Sequence, residues 1–262
     1  MSLHRLALRL AAVEALCPAA SEEAGPYPTL AGRLVYDSRQ VPIDQLVPDK
    51  PRPILLVYTE EDKGTPWGSG RHRPEETIVT LVVEALIAAR GTVVIDLPDG
   101  GTDTVGVADV GPTDPEHEAL LDVLEAQVRY ALDRRSMAPS AELYRRIAME
   151  VRAIESVPLR DAEKTTRLAF RTISFTVQVR ATEWPAPGAE PTLPEPLRTV
   201  AEALPEGSYG RDICDRVAGL VPAPPDLVPL EAIDIFAGIG RMPTAEDYDV
   251  RAQVAGQSPG AT

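Results

Sequence analysis

Arg171-Thr172-Ile173-Ser174-Phe175-Thr176-Val177-Gln178-Val179-Arg180 is the stretch that decides the fold. Ile173, Phe175, Val177 and Val179 alternate with Thr172, Ser174, Thr176, Gln178 and Arg180, the period of two that marks a half-buried antiparallel strand. It belongs to a longer segment, Glu163 to Pro185, in which Leu168 and Phe170 fall on the opposite parity. The apolar side therefore flips near Phe170 and Arg171 unless a bulge resets the register. A strand with one dry face needs helices to cover it, and helical signals stand just upstream, between Asp114 and Ser156.

The first of these helices starts well. Asp114 is an N-cap, Pro115 suits the first helical position, and Glu116 and Glu118 put acids in the first turn. Its apolar face is Leu121, Leu124, Val128, Ala131 and Leu132, and Arg134 and Arg135 close it where the dipole favours cations. Pro139-Ser140 opens a second helix, expected to run through Leu143, Ile147 and Val151 to Ile154 and to stop at Pro158. At the N-terminus, Leu3 to Leu16 reads as an amphipathic helix, with Leu3, Leu6, Leu10 and Val13 at spacings of three and four. Arg9 and Glu14 interrupt its apolar run, so it has neither the centre of a secretory signal nor the length of a membrane span.

Between the helices the chain reads as strands. Arg33 to Asp37 is a short extended piece, and Ile54 to Tyr58 is a continuous apolar run suited to a central strand. Glu60 to Glu76, with Gly64, Pro66, Gly68, Gly70 and Pro74, is expected to be a surface loop. Val79, Leu81, Val83, Ala85 and Ile87 share one parity, which makes Thr77 to Ala89 a strand. Thr92 to Leu97 and the turn Asp99 to Thr102 predict a hairpin or arm. Beyond Trp184 the prolines crowd: Pro185, Pro187, Pro191, Pro194 and Pro196, then Pro222, Pro224, Pro225 and Pro229. This gives a main domain over residues 1–184 and a Pro-rich extension over 185–262. The extension carries short helices at Leu197 to Leu204 and Arg211 to Leu220 and a disordered tail.

The totals limit the function. A formal charge of −14 opposes a surface built to hold nucleic-acid phosphates, though DNA can pass such a surface without sticking. Cys17 and Cys214 are far apart and make neither a disulfide framework nor a zinc motif. His4, His72 and His117 share no motif, so neither a histidine triad nor a metal site is expected. Gly68-Ser69-Gly70-Arg71 lacks the Gly-Lys-Ser ending of a phosphate loop. Asp99 and Asp103 flank a hairpin tip, and Glu60-Glu61-Asp62 is a solvated charge run. Glu84, inside a strand, reads as a partly exposed residue. Arg167, Arg171 and Arg180 are the candidates for a subunit interface, because arginine on a strand pairs bidentately with carboxylates.

The order of pieces carries a resemblance. The N-terminal helix is followed by Gly32-Arg33-Leu34-Val35-Tyr36-Asp37-Ser38-Arg39 and Pro53-Ile54-Leu55-Leu56-Val57-Tyr58-Thr59-Glu60. Leu81-Val82-Val83-Glu84, Glu118-Ala119-Leu120-Leu121-Asp122-Val123-Leu124-Glu125 and the strand through Phe175 complete it. From Leu3 to Trp184 this resembles the tail terminator and minor tail proteins of long-tailed bacteriophages. The resemblance implies an α+β fold, a mainly antiparallel or mixed sheet covered by helices. It also implies a non-enzymatic virion protein, without catalytic, cofactor-binding or metal residues, assembled in the host cytoplasm. Such a protein forms a homohexameric ring that caps the tail tube, ends its polymerisation, and joins the tail to the head–tail connector while DNA passes through. The alternatives are another neck or tail-completion adaptor, a carboxylate-based hydrolase, and an adaptor recognised through Pro191-Thr192-Leu193-Pro194.

Overall fold

The computed structural model describes residues 3–21, 25–38, 52–66, 75–96, 102–110, 115–133, 138–161, 168–185 and 193–220. The fold is α+β. Helix α1 (Leu3–Leu16) precedes strands β1 (Val35–Asp37), β2 (Arg52–Pro66), β3 (Glu75–Asp96) and β4 (Thr102–Val110). Helix α2 (Pro115–Ala131), a 3-10 turn (Pro139–Ala141) and helix α3 (Glu142–Ile147) lead to β5 (Ala148–Asp161) and β6 (Leu168–Val179). Helices α4 (Leu197–Ala203) and α5 (Tyr209–Ala218) follow.

One mixed sheet runs in the order β1-β2-β3-β6-β5, with β4 also paired to β3. The β1–β2 pair is parallel and the other pairs are antiparallel. The alternation of the opening stretch survives intact: Ile173, Phe175, Val177 and Val179 are all buried. They sit opposite Val83, Leu81, Val79 and Thr77 of β3 and share a core with Leu55 and Val57 of β2. Helices α1, α2 and α3 cover this face with Leu8, Ala12, Leu121, Leu124, Val128, Tyr144 and Ile147. The five residues assigned to the apolar face of α2 are all buried, so its period of 3.6 placed it correctly. Leu168 and Phe170 need no bulge in β6, whose register runs unbroken; Phe170 lies on the opposite face beside Leu86.

Three expectations require correction. The second helix ends at Ile147, where Ala148 turns extended (φ −77, ψ 105), and Met149 to Asp161 is strand. Met149 and Arg152 are extra residues in two β5 bulges, so Ala148, Val151 and Ile154 face the same side as Val179, Val177 and Phe175. Bulges thus produced a spacing of three that imitates a helix, and Pro158 is tolerated because β5 lies at the sheet edge. The loop expected from Glu60 is instead ladder through Pro66 and again from Glu75, with residues 67–74 outside the described set. Finally, the body does not stop at Trp184. Leu193, Leu197, Val200, Ala201, Leu204 and Cys214 join the core, a Glu183–Glu195 bridge ties the segment back, and the two short helices form as expected. The rest of the extension, residues 186–192 and from 221, lies outside the described residues, as do Asp114, Arg134 and Arg135.

The second sheet face meets none of these helices. It carries Leu56, Tyr58, Val82, Glu84 and Leu86, and on β6 the polar row Thr172, Ser174, Thr176 and Gln178. No described helix is long and apolar enough to cross a membrane.

Candidate interaction surface

Of the three arginines, Arg167 lies outside the described residues. Arg171 has odd parity and therefore sits on the helix-covered face, not with Thr172 on the wet one. There it is engaged by its own chain. Its Nη1 donates to Asp122 and, at 3.0 Å, to Glu125, while Nη2 donates to Glu118 at 3.4 Å, all on α2. Glu125 also accepts from Ser156 Oγ of β5 at 2.9 Å and from Arg129 Nε at 2.8 Å. Burial pushes the Glu125 carboxyl up, but these donors outweigh it and hold the group below its ordinary value. Burial likewise opposes the Arg171 charge, and Asp122 and Glu125 more than restore it. The cluster fastens α2 to the β5–β6 pair. Arg180, just past β6, is exposed.

Other polar contacts that the sequence did not signal come together across distant segments. The β2 bulge sets Glu60 and Glu61 against a single β3 residue, Thr80, and so brings Asp62 opposite Val79, on the helix side. There His4 Nε2 lies 3.0 Å from Asp62 Oδ2, and His4 Nδ1 lies 3.0 Å from Thr182 Oγ1. Arg5 Nη2 donates to the carbonyls of Thr59 and Glu60 at 2.7 and 2.8 Å. A carboxylate, an imidazole and a hydroxyl in line are the parts of an activated nucleophile. The threonine oxygen, however, also accepts from the His4 backbone amide at 3.2 Å. The histidine side chain is only 10% exposed, which suits a clamp holding the first turn of α1 on the bulge.

A second clamp joins α1, β1 and α5. Arg9 Nε donates to Asp37 Oδ1, and Tyr209 Oη donates to Asp37 Oδ2 at 3.0 Å. Burial, with the charge of Asp37 and its hydrogen bond, pushes the Tyr209 hydroxyl up to about 12. Cys214, pushed up to about 11 by burial and by Asp215, is a core thiol outside any disulfide, and half-buried Cys17, likewise not in a disulfide, packs against the same core. On the second sheet face Glu84 is buried, not partly exposed, and accepts from Tyr58 Oη at 2.7 Å. His117 lies in the first turn of α2 and His72 is outside the described residues, so His4 is not brought together with His117. No cluster of three metal-ligating side chains occurs among the described residues.

The surface that remains is the edge of β5. Beside it runs an open groove of about 560 Å³ between β5 and the C-terminal end of α2, lined by residues including Arg129, Tyr130, Asp133, Arg152 and Ile154. Large apolar side chains stand exposed here: Tyr130 at 64% and Ile154 at 40% in the groove, and Val157 at 51% on the other face of β5. On the outer side of α2, Leu120 and Val123 are exposed as well. Exposed apolar groups beside fourteen residues of edge strand are features of a contact surface. Neither protein-family models nor curated proteins give a match to this chain.

Proposed function

We propose that the protein is a structural subunit of the tail-terminator kind, which assembles into a ring that caps a tail tube and joins it to the head or neck. The observation that carries this reading is the long β5 edge, unpaired among the described residues and flanked by Ile154, Val157 and Tyr130. A ring repeats one heterologous contact, and an open strand edge with apolar neighbours supplies one of its two halves. The α+β architecture agrees with what the resemblance implies. The partly exposed polar row Thr172, Ser174, Thr176 and Gln178 on the other face of β6 suits a wall that DNA passes without being held. Among the three arginines, exposed Arg180 is the one proposed to reach a neighbouring subunit. In this reading the chain works with tail tube and connector proteins and performs no chemistry.

Light scattering on the purified protein, followed by negative-stain imaging alone and with tail tubes, tests the proposal. Six-fold rings, or monomers that close into rings on tube ends, are expected. A particle that stays monomeric at all concentrations and never joins a tube overturns it.

A further inference from the structure

The β3–β4 hairpin goes further than the sheet that bears it. Ala88 is the partner of both Arg52 and Val110, so β2 and β4 lie on opposite sides of β3. Strand β4 therefore continues along the side of β3 that β6 occupies up to Leu86. From Ala89 to Asp96, β3 is paired to β4 alone among the described residues, and β4 has no second partner among them. The result is a two-stranded ribbon nine residues long, about 30 Å at ~3.4 Å per residue. An isolated ribbon of this kind is marginal in water and gains from a further strand. Its sequence favours strand: Val93, Val94, Ile95, Val105, Val107 and Val110 are β-branched, and no proline or lysine protects an edge.

We propose that this ribbon is an assembly arm that adds, by backbone pairing, to the β5 edge of a second copy of the chain; the inference rests on the ring reading above. Three features select that occupant. The arm is collinear with β3, and β6 stands between β3 and β5, so the arm cannot reach the β5 edge of its own subunit without breaking the sheet. Beyond its second bulge the acceptor runs from Ala153 to Asp161, as long as the nine residues of β4, with Pro158 the one residue there without a backbone donor. The opposite end of the sheet is a poor alternative, because the carbonyls of Thr59 and Glu60 on distal β2 are already taken by Arg5. Arm and acceptor are different surfaces, so the contact is head-to-tail and closes into a ring when its rotation allows.

Two measurements test the arm. In a Cys17→Ser background, Thr104→Cys protein is mixed with Ala153→Cys, Glu155→Cys or Val157→Cys protein and oxidised. At least one pairing is expected to give an intermolecular disulfide at least tenfold more abundant than a Thr104→Cys mixture with Glu202→Cys, an exposed position on the outer side of α4. In parallel, Arg90 to Ala108 is replaced by an Asn-Gly turn joining Ala89 to Asp109. The shortened chain is expected to keep its far-UV spectrum and to lose the assembled mass, in solution or on tube ends. Shortened chains that still form rings of wild-type number, or mixtures without a preferred disulfide, overturn the arm and leave the ring standing. Wild-type protein that forms no ring in either setting overturns both.

Discussion

Replacing Arg171 by methionine keeps most of the side-chain volume and deletes one charge from the α2 cluster. The cost divides unequally among its partners. Asp122 is 67% exposed, so losing that pair contributes little, about 0–1 kcal/mol. Glu125 is only 14% exposed, and stripping a buried carboxylate of its whole counter-charge costs roughly 3–5 kcal/mol. Glu125 keeps Arg129 and Ser156, so the expected loss at pH 7 is about 2 kcal/mol, below that range. The pH dependence distinguishes this origin from lost packing. Glu125 in the fold lies below its ordinary 4.5. Its stabilising contribution is therefore fully present above that value and disappears as pH falls through the lower folded one. The gap between wild type and Arg171→Met should be widest at neutral pH and should narrow as pH falls below 4.5. Urea unfolding followed by far-UV circular dichroism, at one protein concentration, reads both quantities, with Arg146→Met as an exposed control expected to change stability by less than about 0.5 kcal/mol. A gap at pH 7 no larger than that control, or one that stays constant with pH, refutes the ion-pair argument.

Asp37→Ala should lower the ionisation of Tyr209 in an absorbance titration while leaving it above the ordinary 10, because burial is the first cause of its rise to about 12 and survives the substitution. A folded value above the unfolded one means that this tyrosine stabilises the fold fully below pH 10 and ceases to as pH climbs to about 12, so the variant should lose less stability over that window. Asp62→Ala removes the anchor of His4 and should speed amide exchange at Lys63 to Thr65 and Thr77 to Val79 by about tenfold, the effect of a lost hydrogen bond to a charged group worth ~1.4 kcal/mol. Unchanged exchange there would show that the bulge holds itself.

Periodicity made the core legible. Leu121, Leu124, Val128 and Ala131 recur as one face of a helix must, and Ile173 to Val179 alternate as a half-covered strand must; both sets are buried where the pattern put them. The Thr77 to Ala89 strand was equally readable, because Val79, Leu81 and Val83 keep one parity through the middle of the sheet. Proline density misled at Trp184. Pro194 and Pro196 are buried beside α4, whose Leu197 and Val200 complete the core under α1, so composition marked a change of texture inside one body.

Residues that bind segments together were illegible for a different reason. A bulge adds one residue to one strand, and every side chain beyond it changes face. In β5 two such additions gave Ala148, Val151 and Ile154 the spacing of a helix and concealed the sheet's edge strand. In β2 the bulge carried Asp62 from the second face to the helix side, where His4 meets it across 58 positions of sequence. Arg171 shows the converse: its parity was readable from Ile173, and strict counting assigns it to the helix-covered face, where three carboxylates of α2 hold it. Period-two logic is thus reliable only between bulges. The edge it concealed is the surface on which assembly is proposed, so β5 is where a change of parity separates a closed subunit from one with a contact still to make.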